Sequence, residues 1–327
     1  MKRQLLKRLV CAAALALLPI SHASAKGDGL LLIGNKGENT VSFVDLGSGK
    51  ELGRAATGDM PHEIAISPDG KRAAVVAYGG RSVDIFDVAS RSRLKTIDLS
   101  PNRGPHGIVW RRDGRLIITT ERSRSLAIAD PDKQVVTATI KTDQDGTHMV
   151  AVSSSGGLAY TANIGSGTVS VIDLTARRKL RDIKVGGRPE GIALSIDDRT
   201  LWVADLDAPR VQAFDTLTLV KLGEVVTGKT PIRVAASPDG RWIVTSNLGG
   251  GSLTMIDART RRRVRDIIVS GSAEAGQVTI LFARDGRRLY AAETGRDTVA
   301  EIDLENGKIL RRLPAGKNGD GLAIAGN

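Results

Sequence analysis

From residue 30 onward the chain is built of apolar runs of four to six residues in which apolar and polar positions alternate, separated by turn residues. In the stretch that starts at Pro61, residues 64–67 read as one strand, Ser67-Pro68-Asp69-Gly70 as a turn, and residues 73–77, 82–87 and 94–99 as three further strands. Alternation with period two places one side of each strand in a core and the other outside it, so the pattern predicts four short antiparallel strands, A to D, and no helix.

The same pattern recurs. A unit opening Pro61-His62-Glu63-Ile64 returns at Pro105-His106-Gly107-Ile108, Thr147-His148-Met149-Val150, Pro189-Glu190-Gly191-Ile192, Pro231-Ile232-Arg233-Val234, Gln277-Val278-Thr279-Ile280 and Gly319-Asp320-Gly321-Leu322, at intervals of 44, 42, 42, 42, 46 and 42 residues. A fixed period of this length is the mark of a β-propeller with one blade per repeat. Strand C ends in Asp45, Asp87, Asp130, Asp173, Asp215, Asp257 and Asp303, which counts seven blades. Asp at a strand end accepts hydrogen bonds from the backbone of the next turn, so these acids read as turn residues rather than metal ligands. The C-terminus supplies only a strand A, residues 321–325, whereas residues 30–34, 40–46 and 51–56 read as strands B, C and D. The sequence therefore predicts an all-β, seven-bladed β-propeller whose last blade is closed by N- and C-terminal strands, which removes an exposed sheet edge.

Ahead of this domain, Lys2, Arg3, Lys7 and Arg8, an apolar run over residues 9–20 and Ala23-Ser24-Ala25 have the order of a secretory leader cleaved after Ala25. The expected organisation is a signal peptide over 1–25 and a propeller over 26–327, exported to the periplasm and not transmembrane, since the apolar run is too short to span a bilayer. Cys11 would leave with the leader, so neither a disulfide nor a haem-attachment motif is available to the mature chain. The formal charge is +11, of which four charges lie in the leader with no acid to offset them, leaving +7. Aromatic residues make up only 3% of the chain, which argues against stacking platforms for nucleic acid.

Strands such as Ala159-Tyr160-Thr161-Ala162-Asn163, Leu201-Trp202-Val203-Ala204-Asp205 and Thr168-Val169-Ser170-Val171-Ile172-Asp173 resemble the YVTN family of β-propeller repeats over essentially the whole mature chain. The Gly-His and Trp-Asp marks of WD40-like repeats are missing. The resemblance implies a secreted or periplasmic propeller related in repeat pattern to archaeal surface-layer proteins and to the d1-haem domain of nitrite reductases. It implies no single activity, because propellers host many.

Function is then sought where side chains converge. The position just before strand A carries His62, His106, His148, Glu190, Ile232, Val278 and Asp320, and the end of strand B carries Asn35, Ala77-Tyr78, Glu121, Asn163, Asp205, Asn247 and Glu293. Both sets are expected on one rim of the axial channel. His62, His106 and His148 are the three histidines left once His22 departs with the leader; with Glu121, Glu190 and Asp320 beside them they offer the donors preferred by zinc, copper, iron or manganese. A lone imidazole at that position equally fits a structural bond to a loop carbonyl. Arg91, Arg93, Lys95, Arg177, Arg178, Lys179, Arg181, Arg261, Arg262, Arg263, Arg265, Lys308, Arg311 and Arg312 fall in C–D turns or on strand D. They form a basic outer wall that protects blade edges or touches an anionic surface.

The reading favoured by the sequence is an exported binding or scaffold protein that takes a ligand, a divalent metal or a protein partner at the channel mouth. The alternative is a metal-dependent lyase or hydrolase at the same face: Pro105-His106-Gly107-Ile108 with Thr119-Thr120-Glu121 resembles streptogramin lyase-type propellers, although only the second unit carries both parts. Residues 270–276, including Glu274, are an insertion on that face, Asp143-Gln144-Asp145-Gly146 reads as a turn, and residues 248–252 as a flexible B–C loop.

Overall fold

A computed structural model describes residues 29–326. The leader assigned to 1–25 lies outside the described residues. Seven four-stranded sheets form, each antiparallel, with strands in the order A-B-C-D. Blade 1 consists of Pro61–Ile66, Arg72–Ala77, Ser82–Asp87 and Ser92–Asp98. The A strands of blades 2 to 6 are Pro105–Trp110, Thr147–Val152, Pro189–Leu194, Pro231–Ala236 and Gln277–Phe282. In blade 7, Gly319–Ala325 pairs antiparallel with Leu30–Asn35, matching Ala325 to Leu30 and Leu322 to Ile33, and Thr40–Asp45 and Glu51–Ala56 complete the sheet. The ring is closed as the repeat pattern predicts.

The core is divided into wedges. Seven apolar clusters lie one at each blade interface, as in the packing of Val76, Ile85 and Ile97 of blade 1 on Ile108, Trp110 and Ile118 of blade 2. Because apolar burial, worth about 1.5–3 kcal/mol per large side chain, is gathered between blades, the axis is free to carry polar groups. Each of the seven strand-C aspartates accepts backbone N–H bonds from its turn, for example Asp173 from Thr175 at 2.9 Å and Ala176 at 2.8 Å.

One irregularity shapes the axis. Where strand A begins, the pairing with strand B slips: Pro61 faces Ala77 but Ile64 faces Val75, and the same shift occurs at the start of the other A strands. An extra residue in a strand breaks strict alternation. Consecutive residues, 62 and 63 in blade 1, can therefore both turn toward the channel. Neighbouring A strands pass so closely there that a Cβ at Gly191 would come within 2.8 Å of the Arg233 backbone, which accounts for glycine at this position in blades 2, 4 and 7.

The basic outer wall is partly a set of clasps. Arg265 reaches the carbonyls of Leu304 and Glu305 in the next blade, Arg311 that of Leu46, and Arg312 binds Glu293 at 2.7 Å. Arg261, Arg262, Arg177 and Arg178 remain exposed. Residues 248–252, expected as a flexible loop, form a turn held by bonds from Leu248 N–H to Thr230 O and from Gly249 N–H to Lys229 O. Three consecutive glycines, Gly249 to Gly251, suggested flexibility, because the D–A loop that anchors the turn is distant in sequence. Asp143-Gln144-Asp145-Gly146 is a turn, and residues 270–276 form a short 3-10 turn on the mouth face with Glu274 exposed. No helix among the described residues is long and apolar enough to cross a membrane.

Candidate functional site at the channel mouth

The three histidines meet. Starting strand A in adjacent blades, they stack along the rim with ring centroids 4.0 Å apart for His62 and His106 and 3.4 Å apart for His106 and His148. Tyr78 sets its edge against the first two at 5.6 and 5.4 Å. Carboxylates hold the ends of the stack. His148 Nδ1 lies 2.7 Å from Glu121 Oε2 and its Nε2 3.5 Å from Glu190, while His62 Nε2 lies 3.4 Å from Asp320. Asp320 also accepts from Lys36 Nζ at 2.6 Å and from the Thr279 hydroxyl at 2.8 Å.

Below this layer two residues meet that the sequence reading passed over. Arg233, 4% exposed, bridges Glu190 in the adjacent blade and Glu63 on the far side of the channel, the latter at 3.1 Å. Glu63 and Arg233 occupy the same repeat position, one beyond His62 and Ile232, and the bulge turns that position inward. Strict alternation would have sent it into the blade. Two opposite charges at one otherwise uncharged position were the available signal.

Burial and neighbours set the protonation of the cluster. Loss of water pushes His62 down to about 3, against the pull of Asp320. His106, fully buried between two other imidazoles, is driven well below its ordinary value by burial and then by the charge of His148. Burial also opposes the charge on His148, but its hydrogen bonds to Glu121 and Glu190 outweigh that and raise its pKa. Glu190 is held down to about 2 because Arg233 and His148 together outweigh burial. Asp320 is likewise kept well below the carboxylate range, against burial, by His62, Lys36 and Arg233. Burial raises Glu63, with Arg233 opposing. Rings this close cannot all carry charge, and the one hydrogen-bonded to carboxylates, His148, takes it.

These shifts have opposite consequences for stability. Between pH 6.5 and about 3 the unfolded chain protonates His62 and the folded chain does not, so stability falls as the pH drops, by about 1.4 kcal/mol per pH unit. His106 acts in the same sense. His148 contributes stability in full below pH 6.5 and loses it as the pH rises through its raised folded value.

Both nitrogens of His106 and Nδ1 of His62 are buried without a hydrogen-bond partner among the described residues. Polar atoms in this condition point to a ligand, ion or water. His106 and Glu121, joined in the lyase-type reading, share no hydrogen bond; Glu121 serves His148 and the Tyr78 hydroxyl.

The second predicted set divides. The pairing shows that strand B of blade 2 ends at Thr120, the equivalent of Asn163, and that Glu121 starts a 3-10 turn one residue beyond it. That extra residue brings Glu121 to the mouth. Asn163, Asp205, Asn247 and Glu293 instead turn into their blades: Asn163 bonds Thr168 and Ser170, Asp205 accepts from Arg188 N–H at 3.0 Å and Arg210 at 3.1 Å, Asn247 bonds Ser252 and Thr254, and Glu293 binds Arg312. Asn35 does the same, accepting from Gly316 N–H at 2.9 Å. They fix the D–A and B–C loops around the rim.

Among solved structures, the chain is similar to hydrazine synthase from Kuenenia stuttgartiensis, with 19% identity over 88% of this chain and 98% of the other and a TM-score of 0.74. It is similar to a functionally unknown protein from Desulfotomaculum acetoxidans DSM 771, with 14% identity over 91% and 99% of the two chains and a TM-score of 0.77. The dihydro-heme d1 dehydrogenase NirN, in complex with DHE, shares 15% identity over 95% of this chain and 78% of its own, with a TM-score of 0.68. At these identities the likeness is one of fold. No curated protein matches the sequence significantly. The profile of the YNCE-like beta-propeller family matches residues 4–325. With repeat, ring closure and sequence profile in agreement over nearly its whole length, the chain belongs to the YNCE-like beta-propeller family.

Proposed function

We propose that this propeller is an exported binding protein whose channel mouth receives a small cationic ligand. The observation that carries the reading is His106, buried at the centre of the histidine stack with both ring nitrogens unpartnered. The donors support the ligand class: the carboxylates of Glu63, Glu121, Glu190 and Asp320 stand at the mouth beside the unpartnered nitrogens of His62 and His106. Binding is favoured over a lyase or hydrolase because Glu121 and Glu190 are both engaged with His148, leaving neither aimed at His106 as a base. NirN was solved with its own ligand, but its likeness is one of fold and that ligand is not carried over.

Export rests on the leader motif, and it requires the mature chain in the periplasmic fraction to begin at Lys26; recovery of an intact N-terminus in the cytosol would contradict it. The mouth is tested by plugging it. Ile232 stands at the repeat position of the three histidines and makes no ring contact with them, so Ile232→Trp is expected to narrow the opening without removing a member of the cluster. Thermal unfolding is followed for wild type and Ile232→Trp with divalent metal salts, diamines and other small cations. A ligand present at 100 times its Kd is expected to stabilise wild type by about 2.7 kcal/mol and to leave the plugged chain unmoved. Equal stabilisation of both chains would place binding elsewhere.

A further inference from the structure

We propose that His62, Glu63 and His106 form a binding site for a divalent first-row transition-metal ion of the zinc type, with His148 outside the ligand set. The inference rests on the reading of the mouth as a ligand site and names what that site takes. One ligand atom from each of the three residues lies within 4.8 Å of the other two. Donors around a tetrahedral zinc ion at about 2.0–2.1 Å lie about 3.3–3.4 Å apart, so closure on a metal needs a contraction of up to about 1.5 Å.

The donors fit the ion. Two imidazoles and one carboxylate leave open positions for water or substrate and suit zinc, iron or copper better than calcium or magnesium. The free nitrogens are in the right residues: both on His106 and Nδ1 on His62.

His148 differs because Glu121 and Glu190 take up both its nitrogens, whereas Nδ1 of His62, 3.9 Å from Glu63, has no hydrogen-bond partner. It lies against His106 at 3.4 Å and fixes that ring from one side, as Tyr78 does from another. Arg233 is the competitor. Its contact with Glu63 must loosen for the carboxylate to reach a metal, whereas its bond to Glu190 keeps the guanidinium paired when it lets go. Metal and Arg233 thus alternate at Glu63.

The test is calorimetric titration of the untagged, metal-free mature protein with zinc chloride and manganese chloride, for wild type and for Glu63→Gln, His106→Gln and His148→Gln. One zinc per chain is expected, bound more tightly than manganese. Loss of a residue that merely orients a ligand costs about 10–100-fold, so Glu63→Gln and His106→Gln should weaken zinc by more than about 100-fold and His148→Gln by less than that. Zinc-edge absorption of the loaded wild type, which does not depend on any variant folding, should show two imidazoles and one carboxylate. Absence of zinc binding by wild type, unchanged binding in Glu63→Gln and His106→Gln, or a shell of three imidazoles overturns the proposal. If zinc fails while another cation stabilises wild type and not Ile232→Trp, only the metal assignment falls. If no ligand separates those two chains, the reading of the mouth falls with it.

Discussion

Deletion of Gly319–Ala325 should leave a chain that aggregates or unfolds at much lower denaturant concentration. This strand is the innermost of blade 7 and pairs the C-terminal end of the chain with the N-terminal strand Leu30–Asn35. Its Leu322 is buried against blades 6 and 7, and its Ala323 and Ala325 against blade 1. Burial of Leu322 is worth about 1.5–3 kcal/mol, and the partly buried Ile324 adds a smaller share. The ladder to Leu30–Asn35 and the contacts of both neighbouring A strands are lost as well. Set against the roughly 5–15 kcal/mol that holds a domain together, the loss is a large fraction of the total. The deletion also bares the backbone edge of Leu31, Leu32 and Ile33, an apolar strand open to intermolecular pairing. Urea unfolding and light scattering check this, and a truncated chain that stays monomeric with the parent's midpoint would refute closure by the two termini.

The second large effect is expected at Arg233. Its guanidinium neutralises Glu190 and Glu63, both buried, and Arg233→Met would leave two carboxylates facing each other across a channel with less compensation. Removing one partner of a buried ion pair typically costs about 3–5 kcal/mol. Replacing the whole group with neutral residues is far better tolerated, so Arg233→Met combined with Glu63→Gln and Glu190→Gln should regain most of the loss. Denaturant midpoints of the single and triple variants test this. A single variant within about 1 kcal/mol of wild type would mean that the bridge behaves as a solvent-exposed pair.

The fold was legible because each level of the sequence repeats the same message. Apolar alternation marks the strands, Ser67-Pro68-Asp69-Gly70 and its relatives mark the A–B turns, and the aspartate at the end of strand C counts the blades. The histidine rim was legible because the repeat aligned three identical residues in consecutive blades. The rest depended on details that periodicity conceals. Glu63 and Arg233 were missed because the bulge at the start of strand A suspends alternation at one position. Asn163, Asp205, Asn247 and Glu293 shared a repeat position with one another but not with Glu121, whose place depends on a strand in blade 2 that ends one residue earlier in the alignment. The basic outer wall read as a uniform charged edge, yet Arg265 and Arg311 bind carbonyls of the following blade, a contact between units that no single repeat contains.

The central claim is that the mouth is a built site in which His62 and His106 stand neutral and unspent while His148 carries the charge. With three histidines after Ala25, nitrogen NMR of histidine-labelled mature protein resolves each ring, assigned through single His→Gln variants. In metal-free protein at pH 6, His62 and His106 are expected as neutral imidazoles and His148 as imidazolium. His62 should remain neutral until the pH approaches 3, insofar as the chain stays folded. Zinc should then shift the ring nitrogens of His62 and His106 and leave His148 hydrogen-bonded to Glu121. Three rings that all titrate near 6.5 and ignore added zinc would contradict the account, because they would show an open, solvated rim with no site built into it.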